Sequence, residues 1–477
     1  MIKKVFIILN VFILFTGCQK FVENTSPSIN AVSYDEINNE DNIEFFINGV
    51  KNAYADAHAR VSVIADGISD QLVHDRNVAG ATGPSDEALD NGDYEFTDGS
   101  KAECYFSILE VWRTAKLLKE SLDILEGGEI EKEGYYTAYL YQGLAYYLLG
   151  TYYGRGPSYP TDGGATIDTS SFIPSSELYN TAIAHFQSAL NSLDAGDDYK
   201  IRVLNSLMSR IYLYGGDPTL AATHASQGLI AGDDPFQALY TDEGEFINRY
   251  YNYAGEGRTR WTLDSRFRHL LGEEFTDAGN GNGVYDQGEG FTDAGDLNGT
   301  YDEGENFIDL KNGVYDWGEE FVDIALPGGD TGSGNGVYDE PTEPEESIRL
   351  PMAKAPMEED AVSYVRYYQE KYESDSPISV ISWQENHLIL AELGVQGYDI
   401  GIDALGAVND IRNWYSLPLL TEISMEIILD ERDKELFCEG KRLIDQNRFS
   451  DLIPWHTGEL HYIPIPLEEE LTNPNYP

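Results

Sequence analysis

The chain has 477 residues, of which 42% are hydrophobic and 12% aromatic, enough to fill the core of one large domain or of two to three ordinary ones. Its 83 acidic and 31 basic residues give a net charge of −52. This charge would repel the phosphates of nucleic acid, so the composition argues against nucleic acid as a partner.

The first residues have the pattern of an export signal. Two lysines precede an apolar run from Val5 to Phe15, which is too short to span a bilayer of ~30 Å as a stable helix, and the run ends in Thr-Gly-Cys at Cys18. The pattern resembles a bacterial lipoprotein signal peptide, with residues 1–17 removed, Cys18 diacylated and residues 18–40 serving as lipid anchor and polar tether. An ordinary secretory peptide with an incidental cysteine is the alternative. A bridge between Cys104 and Cys438 is possible but unsupported.

From Asp41 to about Ile230 the apolar residues follow a helical period, which fades after Gly232 and is predicted to resume near Val362. One apolar stripe predicts an amphipathic helix, and three segment pairs resemble tetratricopeptide helix pairs, in which small residues let two helices approach closely. The stripe contains Ile108, Val111, Trp112, Ala115, Leu118 and Leu122. The first pair places Gly143, Ala145, Tyr146 and Tyr147 opposite Tyr179, Ala182, Phe186 and Ala189, the second flanks residues 215–218, and the third lies within residues 387–415.

The last hundred residues contain several motifs in a fixed order. They are Ala391-Glu392, Asn409 with Arg412, a Glu-Arg-x-x-Glu-Leu-x-x-Glu-Gly-x-Arg stretch from Glu431 to Arg442, a Pro-Ile-Pro strand at residues 464–466, and Asn473-Pro474. Together with the signal and the helix pairs, this order closely resembles the SusD/RagB family of Bacteroidota outer-membrane nutrient-binding lipoproteins. The resemblance implies a mainly α, SusD-like fold with tetratricopeptide-like helix pairs and loop-rich regions, formed by residues 41–272 and 346–477, with residues 273–345 as an insert.

The Glu/Arg stretch has two interpretations. On one continuous helix, Glu431, Glu435, Glu439 and Arg442 would share a face. The favoured interpretation is an ion-paired strut that holds the carboxyl-terminal helix against the body. The alternative makes two of these carboxylates the acid/base pair of a glycosidase.

The sequence lacks the zinc motif His-Glu-x-x-His, a nucleophile elbow and a Walker loop, which favours a protein that is not an enzyme. The resemblance implies a lipoprotein on the exterior face of the outer membrane that binds an oligosaccharide and delivers it to a TonB-dependent, SusC-like transporter. A binder of peptides or another nutrient, and a lipid-anchored glycoside hydrolase, are the alternatives. Sugars stack on aromatic faces beside polar side chains, so Tyr94, Tyr253 and Trp261 in aromatic loops are the predicted ligand contacts, although most loop aromatics serve packing.

Residues 273–345 hold 20 acidic residues and one basic residue, Lys311, and they repeat a pattern of oxygen ligands similar to an EF-hand loop. Because these ligands are hard oxygen donors, and because so many carboxylates need cations to fold compactly, the segment predicts several structural Ca²⁺ sites in short calcium-stapled loops. A disordered acidic spacer is the alternative. The four units contain Asp277, Asn280, Asn282, Val284, Asp286 and Glu289; Asp293, Asp296, Asn298, Thr300, Asp302 and Glu305; Asp309, Asn312, Asp316 and Glu319; and Asp330, Asn335 and Asp339.

Overall fold

The structure is a computed structural model that describes residues 42–74, 84–92, 99–124, 129–159, 170–242, 246–255, 261–264, 267, 348–359, 362–455 and 460–476. Helices dominate these ranges, so the predicted mainly α class is confirmed. None of the helices in these ranges is both long enough and apolar enough to cross a bilayer.

The helices and strands follow one another along the described chain without a repeating β-α order. The helices are α1 (Ile43–Ile68), α2 (Pro84–Asp90), α3 (Gly99–Leu122), α4 (Glu129–Leu148), α5 (Ser175–Asn191), α6 (Asp198–Tyr214), α7 (Pro218–Ala225), α8 (Arg249–Ala254), α9 (Trp383–Val395), α10 (Ala404–Trp414), α11 (Met425–Glu435), α12 (Arg442–Arg448) and α13 (Leu467–Thr472). The strands are β1 (Leu72–His74), β2 (Arg155–Pro157), β3 (Phe172–Pro174), β4 (Phe236–Ala238), β5 (Trp261–Leu263), β6 (Met352–Glu359), β7 (Val362–Gln369) and β8 (Ile378–Ile381).

The strands form only two-stranded antiparallel sheets within the described residues. The pairs are β1 with β5, β2 with β3, β4 with β8, and β6 with β7. A two-stranded sheet is barely stable alone in water, so these pairs depend on the helices that they contact. The core is therefore built mainly by packing between helices.

The apolar stripe predicted for α3 is confirmed, because each of its six residues is at most 2% exposed. The first predicted helix pair is confirmed as α4 and α5. A Cβ atom at Gly143 would lie 2.5 Å from Cε1 of Phe186 and 3.1 Å from the carbonyl oxygen of Ala182, so the two helices meet closely at this glycine. A π-helical turn, Leu149–Tyr153, extends α4, and the hydroxyls of Thr151 and Tyr179 lie 3.1 Å apart in a hydrogen bond.

The other two predicted helix pairs are also confirmed, as α6 with α7 and α9 with α10. Asp217 caps α7 by accepting a hydrogen bond from the amide of Leu220, and Pro218 follows it at the first helical position. In the third pair, a Cβ atom at Gly394 would lie 2.9 Å from Cβ of Ala404. Small residues therefore set the spacing of these helices, as the pattern predicted.

The prediction that helical sequence resumes near Val362 is wrong. Val362–Gln369 is strand β7, paired with β6 in a regular register from Met352 opposite Gln369 to Glu359 opposite Val362. The sequence "VSYVRYYQ" is rich in β-branched and aromatic residues, which favour a strand. Helical structure resumes only at Trp383. The predicted strand at residues 464–466 is not formed either: this segment is unpaired and leads into α13.

The prediction that Glu431, Glu435, Glu439 and Arg442 share one helical face is also wrong. Helix α11 ends at Glu435, and a turn separates it from α12, which begins at Arg442. The turn contains Gly440 with φ of 73°, and a Cβ atom there would lie 2.6 Å from Cα of Ser62 in α1. Glycine is required because it accepts the left-handed backbone and admits this close approach.

Replacing Gly143 with alanine should destabilise the α4–α5 pair, because the new methyl group would collide with Phe186 and the backbone of Ala182. We expect the free energy of unfolding, measured by urea denaturation, to fall by about 1–3 kcal/mol. Gly49→Ala is the matched control: Gly49 lies within α1, and no atom would lie within 4 Å of its new Cβ. This variant should be stabilised by up to about 1 kcal/mol through helix propensity. Equal effects of the two substitutions would contradict the close packing.

Candidate functional site

A cleft of about 260 Å³ opens between segments that come from distant parts of the sequence. Its walls are formed by residues near β4, by the segment at Ile348 and Arg349, by the stretch from Lys371 to Gln384, and by the ends of α10 and α11. Ile348 is 56% exposed, whereas Arg349 is 4% exposed. The cleft thus combines a rim that reaches solvent with buried charged groups in its walls.

Glu435, the last residue of α11, provides a carboxyl group in one wall. The hydroxyl of Tyr415 donates a hydrogen bond to its Oε1 at 2.9 Å, and Nη1 of Arg349 lies 4.0 Å from its Oε2. Burial raises the pKa of Glu435 to about 7, although Arg349 and Tyr415 both act to lower it. The carboxyl group therefore exchanges its proton near neutral pH.

Glu439 and Lys371 form a second polar pair in the walls. Nζ of Lys371 donates to Oε1 of Glu439 at 2.8 Å and to the carbonyl oxygen of Phe437 at 2.7 Å. The same ammonium lies 5.4 Å from the ring centroid of Tyr372. These contacts fix the turn after α11 against the segment that precedes β8.

Behind the cleft, buried ion pairs hold α11 in place. Oε2 of Glu431 accepts from Nη1 of Arg349 at 2.7 Å, and Oε1 accepts from Nη1 of Arg412 at 2.5 Å. Arg432, the next residue, donates through Nε to Oδ2 of Asp445 at 2.8 Å, which joins α11 to α12. The predicted ion-paired strut is therefore confirmed, although two short helices carry it and not one.

An exposed aromatic ring lies near the cleft. Trp414 ends α10 and is 58% exposed, and its indole meets the indole of Trp383 edge to face, with centroids 5.8 Å apart and planes at 77°. Trp383 is 2% exposed and stands between Ser382 and Gln384, which both line the cleft, as does Tyr415 next to Trp414. The residues next to both tryptophans in the chain therefore line the cleft.

The ligand contacts predicted from sequence lie elsewhere or outside the described residues. Trp261 is 3% exposed in β5, where a Cβ atom on Gly67 would lie 2.8 Å from its ring, so the protein itself covers this indole. Tyr253, in α8, is half-buried against the core. Neither side chain lines the cleft, and Tyr94 lies outside the described residues.

The predicted metal and lipid sites also lie outside the described residues. This holds for every predicted calcium ligand from Asp277 to Asp339 and for Cys18. In the part of the chain that is described, no group of three or more His, Cys, Asp or Glu side chains is arranged to hold a metal ion. Cys104 and Cys438 are buried free cysteines, so the possible bridge between them is not formed.

The exposed indole of Trp414 could not be predicted from the helical period of α10. Ala407, Val408 and Ile411 are buried on α10, and a helical period continued from them would place Trp414 and Tyr415 on the same buried face. The helix ends at Trp414, so the period no longer governs where these rings lie. The aromatic pair "WY" before a Ser-Leu-Pro segment is the signal that could have indicated an exposed helix end.

Comparisons with known proteins agree on the fold. No protein-family model matches the chain, and no curated protein matches it by sequence. Among solved structures, a laminarin-binding SusD-like protein matches with a TM-score of 0.56 and 16% identity, covering 92% of this chain and 100% of the other. A SusD-like protein from Bacteroides fragilis NCTC 9343 matches with a TM-score of 0.59 and 14% identity, covering 94% of this chain and 99% of the other. Surface glycan-binding protein A from Bacteroides thetaiotaomicron matches with a TM-score of 0.54 and 12% identity, covering 91% of this chain and 97% of the other.

These matches span nearly the whole length of each solved chain, and they include SusD superfamily proteins from several Bacteroides species. The resemblance recognised in the carboxyl-terminal motifs is thereby confirmed at the level of the fold. The chain has the SusD-like fold.

Proposed function

We propose that the protein is a cell-surface lipoprotein that binds a glycan and delivers it to a TonB-dependent, SusC-like transporter in the outer membrane. The observation that carries this proposal is the match of the whole fold to a laminarin-binding SusD-like protein. Selectivity would come from binding alone, and the transporter would supply the energy for uptake.

The cleft and the neighbouring indole suit a sugar chain. Sugar rings present apolar C–H faces that stack on aromatic side chains, while their hydroxyl groups bind polar atoms at the rim. Trp414 offers an exposed indole that is held by Trp383, and Gln384 and Arg349 supply amide and guanidinium groups in the walls. Trp414 would stack on one ring of the glycan while the cleft receives another part of the chain.

Trp414→Ala should weaken glycan binding by about three- to tenfold, because one aromatic stacking contact is worth about 0.5–1.5 kcal/mol. The measurement is isothermal titration calorimetry with laminarin oligosaccharides and with a panel of other soluble glycans. Phe45→Ala is the matched control, since Phe45 is 49% exposed on the first turn of α1 and does not line the cleft. If both variants bind the glycan that the unchanged protein binds, and with the same affinity, Trp414 has no part in recognition.

The same experiment separates the alternatives. If no glycan in the panel binds, the peptide or other nutrient binder becomes the preferred function. One observation supports the alternative function as a glycoside hydrolase. The carboxyl group of Glu435, with a pKa of about 7, lines the same cleft as Glu439. Release of reducing sugar from the bound glycan, lost in Glu435→Gln, would establish that function.

Anchoring through the lipid on Cys18 is part of the proposal. Cys18→Ala should move the protein from the membrane fraction to the soluble fraction and abolish incorporation of labelled fatty acid, because a thioether-linked diacylglycerol would no longer form. Cys104→Ala is the control. Cys104 is buried in α3, so its substitution should leave fractionation unchanged. Membrane retention of Cys18→Ala with an unchanged lipid content would contradict the anchor.

We also propose that residues 273–345 bind several Ca²⁺ ions. Calcium should raise the protease resistance of this segment, and chelation with EDTA should abolish it, because binding and folding of such a carboxylate-rich segment are coupled. A chain that lacks residues 273–345 is the control, and its digestion pattern should not respond to chelation. Identical digestion of the full chain with and without EDTA would leave a disordered acidic spacer as the interpretation.

A further inference from the structure

The turn between α11 and α12, residues 436–441, contacts helix α1 and also contributes to the cleft; we call it the docking turn. Its Glu439 lines the cleft, where Nζ of Lys371 donates to Oε1 at 2.8 Å. The next residue, Gly440, lies against α1, and its amide donates to Oδ2 of Asp66 at 3.2 Å. The carboxyl group of Asp66 therefore holds the segment that completes one wall of the cleft.

Asp66 is 1% exposed and receives its hydrogen bonds from neutral groups. The hydroxyl of Tyr250 in α8 donates to Oδ2 at 2.5 Å, and the amide of Gly440 donates to the same oxygen. Because both bonds end on Oδ2, a proton can be carried on Oδ1 without breaking either of them. Lys371, the cation that acts on Asp66, is already bonded to Glu439. Asp66 therefore shares a cation that belongs to another carboxylate.

The groups around Asp66 decide when it ionises. Burial raises the pKa of Asp66 to about 7, and the charge of Glu439 adds to this rise, whereas the bonds to Oδ2 and the charge of Lys371 oppose it. Three tyrosines also face Asp66, from the π-helical turn, from α8 and from the segment before β8, and burial raises the pKa of each well above its ordinary value. They are Tyr152, Tyr250 and Tyr372. These phenols stay neutral at the pH at which Asp66 loses its proton.

A second carboxyl group flanks the other end of the docking turn. Glu435 ends α11, and Nη1 of Arg349 lies 4.0 Å from it but only 2.7 Å from Glu431, which takes the closer contact. Burial raises the pKa of Glu435 to about 7 as well. The remaining groups that act on Glu435 are Tyr415, Lys371 and Glu439. A buried carboxyl group without a cation of its own thus stands at each end of the docking turn.

Ionisation of these carboxyl groups favours release of the docking turn. A buried carboxylate that lacks a close cation is unfavourable, and it becomes less so when water reaches it. Release of Gly440 would admit water to Asp66, so loss of the proton and release of the turn favour each other. The docked turn binds more protons than the released turn at acidic pH. Its stability therefore falls as the pH rises towards 7 and stays low above that value.

We propose that the docking turn is a pH-sensitive switch: Asp66 and Glu435 keep it docked on α1 when they are protonated, and their ionisation loosens it. Glu439 belongs to the turn, so the wall of the cleft that it forms is complete only in the docked state. The inference concerns the protein without ligand and does not depend on which ligand the cleft accepts.

Hydrogen exchange of the intact protein, followed by mass spectrometry without ligand, tests the switch. After correction for the intrinsic exchange rate, the opening constant of residues 436–441 should rise with pH by about tenfold per pH unit for each proton lost on opening. The rise should occur between about pH 5 and pH 7 and level off above about pH 7.5, where the docked turn has already lost its protons. An opening constant that is the same at both ends of this range would overturn the proposal.

Substitutions assign the effect to the two carboxyl groups. Asp66→Asn imitates the protonated form, because its amide oxygen accepts the same two bonds and has no proton to lose. It should reduce the dependence by about tenfold per pH unit, and Asp66→Asn combined with Glu435→Gln should abolish it. Asp233→Asn is the matched control. Asp233 also accepts from a backbone amide, that of Ile230 at 2.9 Å, but Arg202 pairs with it at 2.7 Å, so the exchange of the docking turn should not change.

Tyr250→Phe keeps the switch testable if Asp66→Asn does not fold. The hydroxyl of Tyr250 favours the ionised form of Asp66, so its removal should raise the pKa of Asp66 and move the midpoint of the exchange profile to higher pH. An exchange profile that neither Asp66→Asn nor Tyr250→Phe alters would show that Asp66 does not control the docking turn.

Discussion

One buried ion pair joins the two parts of the chain that flank the acidic segment. Arg210 of α6 and Glu385 of α9 are both 0% exposed at their side chains, and the guanidinium donates to both carboxylate oxygens at 2.6 and 2.5 Å and to the carbonyl of Val380 at 2.6 Å. Burial raises the pKa of Glu385, but Arg210 overcomes this effect and the pKa lies below its ordinary value. Removing one partner of such a pair typically costs ~3–5 kcal/mol, because the other charge is left buried and unpaired. Helix α9, and with it Ser382 and Gln384 at the cleft, keeps its position through this contact.

Buried contacts also hold the described chain on both sides of residues 273–345. The last described strand before this segment, β5, is paired with β1 and contains the buried Trp261, and Arg349 after the segment is buried against Glu431. Both flanks are therefore fixed by the body. The entropic cost of closing a loop grows by only about 0.6 kcal/mol for each doubling of its length. A long segment can therefore connect two fixed ends with little loss of stability. Ile348 and Arg349, the first described residues after this segment, also line the cleft.

The helix pairs could be predicted from the sequence because their signals are local: a helical period, small residues at crossing points such as Gly143, and turn residues between helices. Two of the errors, at Glu439 and at Trp261, concern features that depend on distant contacts, whereas the composition of strand β7 was a local signal. Whether Glu439 continues α11 is decided by the docking of Gly440 on Ser62, and whether Trp261 is exposed is decided by Gly67 on another element. The cleft combines residues from β4 to α11 that are far apart in sequence, so no single stretch could have indicated it.

Gly440 is held by elements from the beginning of the chain. Its amide donates to Oδ2 of Asp66 in α1 at 3.2 Å, and its carbonyl accepts from the hydroxyl of Tyr152 in the π-helical turn at 3.1 Å. The next residue back, Glu439, forms part of the cleft. A chain still being made can therefore build its early helix pairs, but it has no complete cleft until the turn after α11 has emerged and docked. The cleft is therefore completed only when a segment from late in the chain contacts helix α1.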